Sequence, residues 1–384
     1  MIKLKTDNCM GCGACVNVCP NDCIKIVEDS MGFYVPEVNE DQCIGCNKCS
    51  EVCPAANDID YEEFQRIAYY GRYERDNMLI KSSSGGFFTA IADYVVKKNG
   101  VVFGAVYDVE NKSAYHTDTR VVGLDRMRKS KYVQSDTRDT FAQVKTLLKD
   151  KVLVLYTGTP CQIHGLLLFL NSFDIDTSSL ITIDLLCGGV PPNRFLKEYM
   201  LYLENRNSKK IFSIDFRPKT KGWRNLSLRV QFEGGRVYDR MWYADMYYNA
   251  FLNKLSIKRV CGNCKYGERH PADITLGDFW NIRKYKPDED DDRGLSIVHI
   301  NTLKGDKFFC QVKASLECKN LNWEDAKYCL KKKFMINIED KNLFENLVLD
   351  KGYLYAAYIF LIKHLIKKVY AKFLKVFHLT SKNE

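Results

Sequence analysis

Two runs of closely spaced cysteines stand in the first sixty residues of this 384-residue sequence. The first reads CMGCGACVNVCP and the second CIGCNKCSEVCP, so that each follows the pattern C-x2-C-x2-C-x3-C-P. The cysteines are Cys9, Cys12, Cys15 and Cys19 in the first run and Cys43, Cys46, Cys49 and Cys53 in the second. Thiolates at this spacing converge on iron–sulfur cubanes, and the glycines between them let the backbone fold closely around a cluster.

This spacing is that of bacterial dicluster ferredoxins, in which the fourth cysteine of each run ligates the other cluster. We therefore expect cluster one to take Cys9, Cys12, Cys15 and Cys53, and cluster two to take Cys43, Cys46, Cys49 and Cys19. Structural zinc is the alternative, although zinc sites usually show two separated C-x2-C pairs. Because such a module relays single electrons, we expect the rest of the chain to supply a two-electron cofactor.

Composition and charge narrow the class of protein. The sequence has sixteen cysteines and begins MIKLKTDNC, without an apolar leader, so we expect reduced thiols and a cytoplasmic protein. Residues 1–60 hold four Lys/Arg and ten Asp/Glu, a net charge of −6, and the rest of the chain carries +15. An acidic module on a basic body argues against a nucleic-acid binder. The sequence contains no run of 18 apolar residues, so it does not predict a membrane span.

Alternating strand and helix patterns follow the cysteine module. SSSGGFFTAIADYVVKKNGVVFGAVYD reads as turn, helix and strand, and KVLVLYTGTPCQIHGLLLFL and SLITIDLLCGGVPPNRFLKEYM each read as strand, turn and helix. The fold class that this predicts is an α+β ferredoxin module followed by an α/β domain. We expect a mostly parallel sheet with its site at the carboxyl ends of the strands.

Four further cysteines lie at predicted strand ends or in a pair. Cys161 and Cys187 follow strands, and Cys261 and Cys264 form a C-x2-C pair. Together they suffice for a third cubane or for zinc, and the two clusters already predicted favour the cubane. Cys23, Cys310, Cys318 and Cys329 lack partners at ligand spacing, which predicts small buried side chains.

Several motifs together resemble the coenzyme F420 hydrogenase/dehydrogenase beta-subunit family. They are SSSGGF, KSKYVQS, YTGTPCQIHGL, LLCGGVP, FRPKTKGW, CGNCKYGERHPADITLGDFW and DDRGLSIVHINT, in the family's order over about residues 65–330. The resemblance implies an FAD-binding domain with a 4Fe–4S cluster beside the flavin, held by Cys161, Cys187, Cys261 and Cys264. It also implies FAD-binding loops at Ser83, Ser84, Gly85 and Gly86, at Lys131 and Tyr132, and at Thr157, Gly158, Thr159 and Pro160.

The implied activity is that of an oxidoreductase with three 4Fe–4S clusters and FAD. Its partners would be a ferredoxin or another redox protein and a small-molecule substrate such as coenzyme F420. Many members read Cys-His-Gly-Val-Pro-Ser where this chain has Cys187 to Pro192 as CGGVPP, which puts the substrate in doubt. A ferredoxin-dependent reductase of another organic or sugar-linked substrate and a non-catalytic electron-transfer subunit stay open.

Three single residues have two interpretations each. Lys131 either holds a flavin phosphate or is a solvated loop lysine. His164 either donates protons or lies on a helix surface or behind a ligand. Asp278 either orients a cofactor loop or caps a turn. The sequence leaves the catalytic residues unknown.

The C-terminal segment, residues 331–384, is basic and amphipathic. It holds eleven Lys and five Asp/Glu, a net charge of +6. One half of a helix over 353–378 carries Lys363, Lys367, Lys368, Lys372 and Lys375, and the other half carries Ile362, Leu365, Ile366, Val369, Phe373, Val376 and Phe377. This pattern fits a helix on the inner face of an anionic membrane, and equally one docked on its own domain or on a partner subunit.

Overall fold

The chain begins with a small module that is built around its cysteine loops. The structure is a computed structural model, and it describes residues 8–59, 64–330 and 336–380, with side chains up to residue 370. The module consists of α1 (Ala14–Val18), a hairpin of β1 (Ile24–Glu28) and β2 (Tyr34–Val38), and α2 (Lys48–Glu51). Gly11 and Gly13 have φ angles of 69° and 79°, so the predicted need for glycine in this loop is real.

The body of the protein contains a large sheet and a small one. Its strands are β3 (Ile67–Tyr73), β4 (Val101–Asp108), β5 (Ser113–Asp118), β6 (Val154–Thr157), β7 (Leu180–Leu185), β8 (Ile211–Asp215), β9 (Ser227–Phe232), β10 (Val237–Met241), β11 (Ile274–Asp278), β12 (Ser296–Ile300) and β13 (Leu316–Leu321). The large sheet has the order β13-β3-β12-β11-β7-β6-β4-β5, and the small antiparallel sheet has the order β10-β9-β8.

The large sheet is mixed, so the prediction of a mostly parallel sheet is wrong. Strands β4, β6, β7 and β11 are parallel neighbours in its centre. The flanking pairs β4–β5, β11–β12, β12–β3 and β3–β13 are antiparallel. Antiparallel neighbours need only a turn, such as residues 109–112 between β4 and β5, and the helix patterns in the sequence do not reveal them.

Helices cover both faces of this sheet. The helices that follow the cysteine module are α3 (Asp76–Ile80), α4 (Phe87–Lys97), α5 (Leu124–Met127), α6 (Thr140–Lys149), α7 (Pro160–Asn171), α8 (Asn193–Asn207), α9 (Met246–Leu252), α10 (Ile282–Tyr285), α11 (Leu303–Val312), α12 (Trp323–Ala326), α13 (Ile338–Lys351) and α14 (Tyr353–Thr380). Helices α4 and α11 pack on one face through residues such as Ile91 and Phe309. Helices α6 and α7 cover the other face through residues such as Phe141 and Leu166.

The cysteine module packs on the second of these faces. Cys12, Ala14, Val18 and Val52 belong to the same apolar core as α6 and α7. One close approach is at Gly165 in α7, where an added Cβ would stand 2.9 Å from Cys12 Sγ and 3.2 Å from Ala14 Cβ. The module and the body therefore share one core, and a side chain at position 165 has no room.

The C-terminal segment is helical, as predicted, and its first half docks on the body. Tyr353, Ala356, Ala357 and Phe360 of α14 are buried in a core that α8, α9 and the small sheet share. Across the described residues, we find no helix whose length and apolar content would let it cross a membrane.

Replacing Gly165 with Ala should loosen the packing of the module on α7. We expect the new Cβ, which overpacks against Cys12 and Ala14, to cost about 1–3 kcal/mol of unfolding free energy. The better helix propensity of Ala, about 1 kcal/mol, offsets part of that cost. Thermal unfolding of the anaerobically prepared protein measures the change in stability. Gly123→Ala, where no atom lies within 4 Å of the added Cβ, is the matched control. Equal midpoints for both variants would contradict this packing.

Candidate functional site

Four cysteines from three separate segments come together at the carboxyl edge of the parallel strands. Cys161 lies in the first turn of α7, directly after β6, and Cys187 follows β7. Cys261 and Cys264 lie in and after the short turn Arg259–Asn263. Burial raises the pKa of the Cys161 thiol, and the nearby thiols of Cys187, Cys261 and Cys264 raise it further. The structure thus gathers the four predicted ligands of a third cluster.

The spacing of these thiols bears on the choice between zinc and a cubane. In the described parts of the chain, no three His, Cys, Asp or Glu side chains stand close enough to share one metal ion. A single zinc ion needs each sulfur at about 2.3 Å from the same centre. In a cubane, each thiolate binds a different iron and the thiols lie further apart. The described side chains therefore decide for neither metal, and iron and zinc analysis distinguishes the two.

The two cysteine runs of the module lie beside each other. Burial raises the pKa of Cys15 to about 12, and the neighbouring thiols Cys9, Cys53 and Cys49 raise it as well, so cysteines of the second run adjoin the first run. Burial raises the pKa of Cys49, with smaller contributions from Cys46 and Cys43.

Cys23 lies beside the expected ligands of cluster two, which we call the second group of thiols. The sequence analysis did not predict this position. It is buried, and its Sγ is 3.3 Å from Cys19 Sγ. The charges of both Cys19 and Cys43 act on it, so it stands between two predicted ligands of cluster two. The only sequence signal was its place four residues after Cys19. Cys310 is exposed on α11, so its predicted burial is wrong, whereas Cys318 and Cys329 pack at the edges of apolar cores.

The first and third groups of thiols are neighbours. The charge of Cys161 acts on Cys12, whose pKa is raised well above its usual value mainly by burial. Gly165, one turn after Cys161, is the residue against which Cys12 packs. At the second group, Cys46 is exposed and the adjacent Ile44 is 64% exposed. The three groups therefore run from the surface of the module into the body.

The three loops predicted for FAD lie close to one another. Ser130 N donates a hydrogen bond of 2.8 Å to Ser83 Oγ, which joins the first loop to the second. Met127, at the end of α5, accepts from Lys131 Nζ through its carbonyl and lies beside Gly104. An added Cβ at Gly104 would be 3.1 Å from Thr157 Oγ1, so the third loop adjoins the same place.

Several of these loop residues already have protein partners. Lys131 Nζ donates to the carbonyls of residues 126–129, and burial lowers its pKa to about 7. Ser84 Oγ donates to Leu295 O, and Gly85 packs against Gly71 O and Ser296 N. Tyr132 packs by its ring on Phe251. Thr159 Oγ1 lies 3.2 Å from Cys161 Sγ. Lys131 therefore shapes its loop through local contacts, which neither of its two sequence interpretations described.

Arg217 is a candidate site residue that the sequence analysis did not name. It lies in the FRPKTKGW motif, is 2% exposed, and forms an ion pair with Asp278 of the GDFW motif. Its guanidinium also lies 4.7 Å from the Trp280 ring, which stacks on Trp223 at 4.6 Å. Its Nε and Nη2 are buried without an acceptor. Two orphaned donors on a buried cation call for an acceptor from a bound molecule.

Buried histidines surround the site in neutral form. His116 Nε2 lies 3.0 Å from Thr157 O, and burial lowers its pKa to about 4. His164 Nδ1 is 2.6 Å from the Tyr266 hydroxyl, and burial lowers its pKa to about 4. Since His164 is 1% exposed, a place behind the third group of thiols fits it better than contact with a substrate.

Two separate segments of the chain match the models of known protein families. Residues 8–57 match the family model of the 4Fe-4S dicluster domain. Residues 152–324 match the model for the C terminus of the coenzyme F420 hydrogenase/dehydrogenase beta subunit. A chain of the F420-reducing NiFe hydrogenase complex from Methanosarcina barkeri is similar at 18% identity and a TM-score of 0.47, over 74% of this chain and 93% of that chain. No curated protein matches the sequence.

The two matched segments are those that carry the cysteine groups described above. The chain therefore joins a segment that matches the 4Fe-4S dicluster domain to a segment that matches the C terminus of the coenzyme F420 hydrogenase/dehydrogenase beta subunit.

Proposed function

We propose that this protein is an iron–sulfur flavoprotein oxidoreductase that connects a redox partner protein to a small organic substrate through three 4Fe–4S clusters and FAD. The observation that carries the proposal is the convergence of Cys161, Cys187, Cys261 and Cys264 beside Cys12 of the dicluster domain. A chain that only relayed electrons between proteins would need no third group of ligands inside a body of this size.

The residues fit the three clusters in a definite order. Cys46 and Ile44 reach the surface, so a partner protein meets cluster two first. The ligand Cys12 of cluster one packs on the helix that begins at Cys161, so cluster one adjoins the third cluster. The loop after β6 then continues from Cys161 back to Thr157, in the region predicted for FAD.

The residues also fit an anionic, planar cofactor such as FAD. Arg217 offers two donors without acceptors, and Lys219, which is mostly buried, lies near it and donates to Ser84 O at 2.6 Å. Trp280 supplies an aromatic face that is 37% exposed. FAD, when bound, exchanges single electrons for a hydride. Arg217 would hold its polar edge, with Asp278 fixing the orientation of the guanidinium.

Coenzyme F420 is the substrate class that we propose first, because the FRPKTKGW and GDFW segments meet at Arg217. A ferredoxin-dependent reductase of a different organic or sugar-linked substrate would use the same residues. A non-catalytic electron-transfer subunit is the second candidate function, and the exposed position of cluster two favours it equally.

One face of α14 presents an apolar stripe, and we propose that it rests on an anionic membrane surface. The stripe consists of Tyr355, Tyr358, Ile362, Ile366 and Val369, which are 37–71% exposed. Lys363 pairs with Asp340 and Lys368 lies over Tyr243, so these two lysines face the body. The exposed Lys367 remains for lipid headgroups, and the side chains of Lys372, Phe373, Lys375, Val376 and Phe377 lie outside the described residues.

The anaerobically purified protein should contain about twelve iron atoms and one FAD, four irons for each cubane. Cys264→Ser should lower the iron content to about eight, because it removes a ligand of the third cluster alone. Iron and flavin analysis with EPR spectroscopy measures both. Cys310→Ser, a change at an exposed cysteine outside the three groups, is the control and should keep all the iron. Stoichiometric zinc together with eight irons in the wild-type protein would contradict the proposal of a third iron–sulfur cluster.

Mixing the protein with reduced coenzyme F420 under anaerobic conditions should bleach the flavin absorbance and then reduce the clusters. The reason is that FAD, when bound, would accept the hydride, and clusters held by the cysteine groups would carry its two electrons away one at a time while the proton passes to solvent. Stopped-flow absorbance follows both phases. A flavin that dithionite reduces but the deazaflavin does not would favour the reductase of another substrate. The absence of flavin would favour the electron-transfer subunit.

Replacing Ile366 and Val369 together with Glu should weaken binding to vesicles that contain anionic lipid at least tenfold. The two charges interrupt the exposed apolar stripe of α14. Co-sedimentation with phosphatidylglycerol vesicles measures this, and Phe212→Glu, at an equally exposed apolar residue of β8, is the control. The membrane contact would be contradicted if the wild-type protein does not bind these vesicles and instead forms a dimer through the stripe.

A further inference from the structure

Lys258 is a buried lysine that is not among the site residues described above. It is 6% exposed and directly precedes the turn Arg259–Asn263 that carries Cys261. A buried ammonium costs free energy unless its charge is compensated. Lys258 forms no ion pair with a described carboxylate, in contrast to the neighbouring buried Lys341, which pairs with Glu345.

The main chain of Lys258 belongs to the third group of thiols. Its carbonyl accepts a hydrogen bond of 3.0 Å from Cys261 N. Its own N–H donates to Val190 O at 3.3 Å, in the loop that follows Cys187. The backbone of this residue therefore ties together two of the three segments that supply ligands to the third cluster.

The side chain of Lys258 runs in the opposite direction, to the first loop of the dicluster domain. Lys258 Nζ donates to Tyr34 O at 3.1 Å and lies 5.6 Å from the centre of the Phe33 ring. The same Tyr34 oxygen would be 3.0 Å from a Cβ at Gly11, which stands between Cys9 and Cys12. The ammonium is thus held at the loop of cluster one while the backbone shapes the third cluster.

The charges around this ammonium agree with that position. Lys258 acts to lower the pKa of Cys9 and of Cys261, against the larger opposing effect of burial on each thiol. The carboxylate of Asp29 acts on Cys9 in the opposite sense. Asp29 is occupied by the N–H groups of Met31 and Phe33, at 2.9 and 2.8 Å. The ammonium of Lys258 therefore stays available to the two groups of thiols.

Resting on the proposed function, we propose that Lys258 is a positioning residue that supplies one buried positive charge to cluster one and to the third cluster together. Reduction adds negative charge to a cluster, and a nearby cation stabilises the reduced form. Lys258 would therefore raise the reduction potentials of both clusters in step. The charges that act on Cys23 and Cys49, at cluster two, are those of neighbouring cysteines, so the potential of cluster two should not depend on Lys258.

The test is an EPR-monitored redox titration of the full chain, preceded by iron analysis. Lys258→Met should lower two of the three cluster potentials by at least a tenfold change in the reduction equilibrium, which is about 59 mV for one electron. Lys258→Arg, which keeps the charge, should hold both potentials near their wild-type values. Lys48→Met removes an exposed lysine beside the cluster-two ligand Cys49, and solvent should screen its effect on any potential.

Each outcome decides between the proposals. Eight irons in the wild-type protein would overturn the third cluster, and with it the proposed function, before any potential is measured. Twelve irons with unchanged potentials in Lys258→Met would overturn the role of Lys258 alone. If Lys258→Met loses iron, Lys258→Arg decides, because a shift of its potentials despite the retained charge would show that only the packing matters.

Discussion

The contact between Cys12 and Gly165 is the constraint on which the rest of the structure depends. Only hydrogen at position 165 lets the first cysteine loop rest on α7, four residues after the start of the third ligand group at Cys161. The proposed electron transfer needs short distances between clusters, and Gly165 lets the first and third groups of thiols lie close together. The shared apolar core of α1, α6 and α7 then fixes the module against the body, so that the approach does not depend on a flexible linker.

Burial has an electrostatic consequence for the same region. The ligands of cluster one and of the third cluster sit where desolvation raises the pKa of their thiols, and the thiols of each group raise one another. Clusters bind thiolates, so binding must release protons and must supply positive charge to the site. The iron provides most of that charge. The buried ammonium of Lys258 lies between the first and third groups of thiols. Its positive charge would offset the negative charge that each reduction of a cluster adds there.

The sequence predicts the cysteine groups well because ligand spacing and strand ends are local features. Cys161 and Cys187 were placed from the turns that follow apolar strands, and the structure brings them to one edge of the sheet. The antiparallel flanks of the sheet could not be predicted, because β12 and β3 pair over more than 200 residues of chain. Arg217 stood in a recognised motif, yet only its contacts with Asp278 and Trp280 show which residue of that motif carries the unpaired donors. The sequence predicts a flavin phosphate or solvent as the partner of Lys131, and its four carbonyl partners become visible only when the loop is folded.

The separation of the ligands along the chain gives the protein an order of assembly. The dicluster domain is complete once residue 57 has been synthesised, and domains generally form as units from the N-terminus during synthesis. Its docking helix α7 emerges about a hundred residues later, and the last two ligands of the third group, Cys261 and Cys264, follow after another hundred. A nascent chain therefore holds two ligand sets ready before its docking surface exists. The third group of thiols, whose four cysteines all come from the body, is therefore the last to be finished.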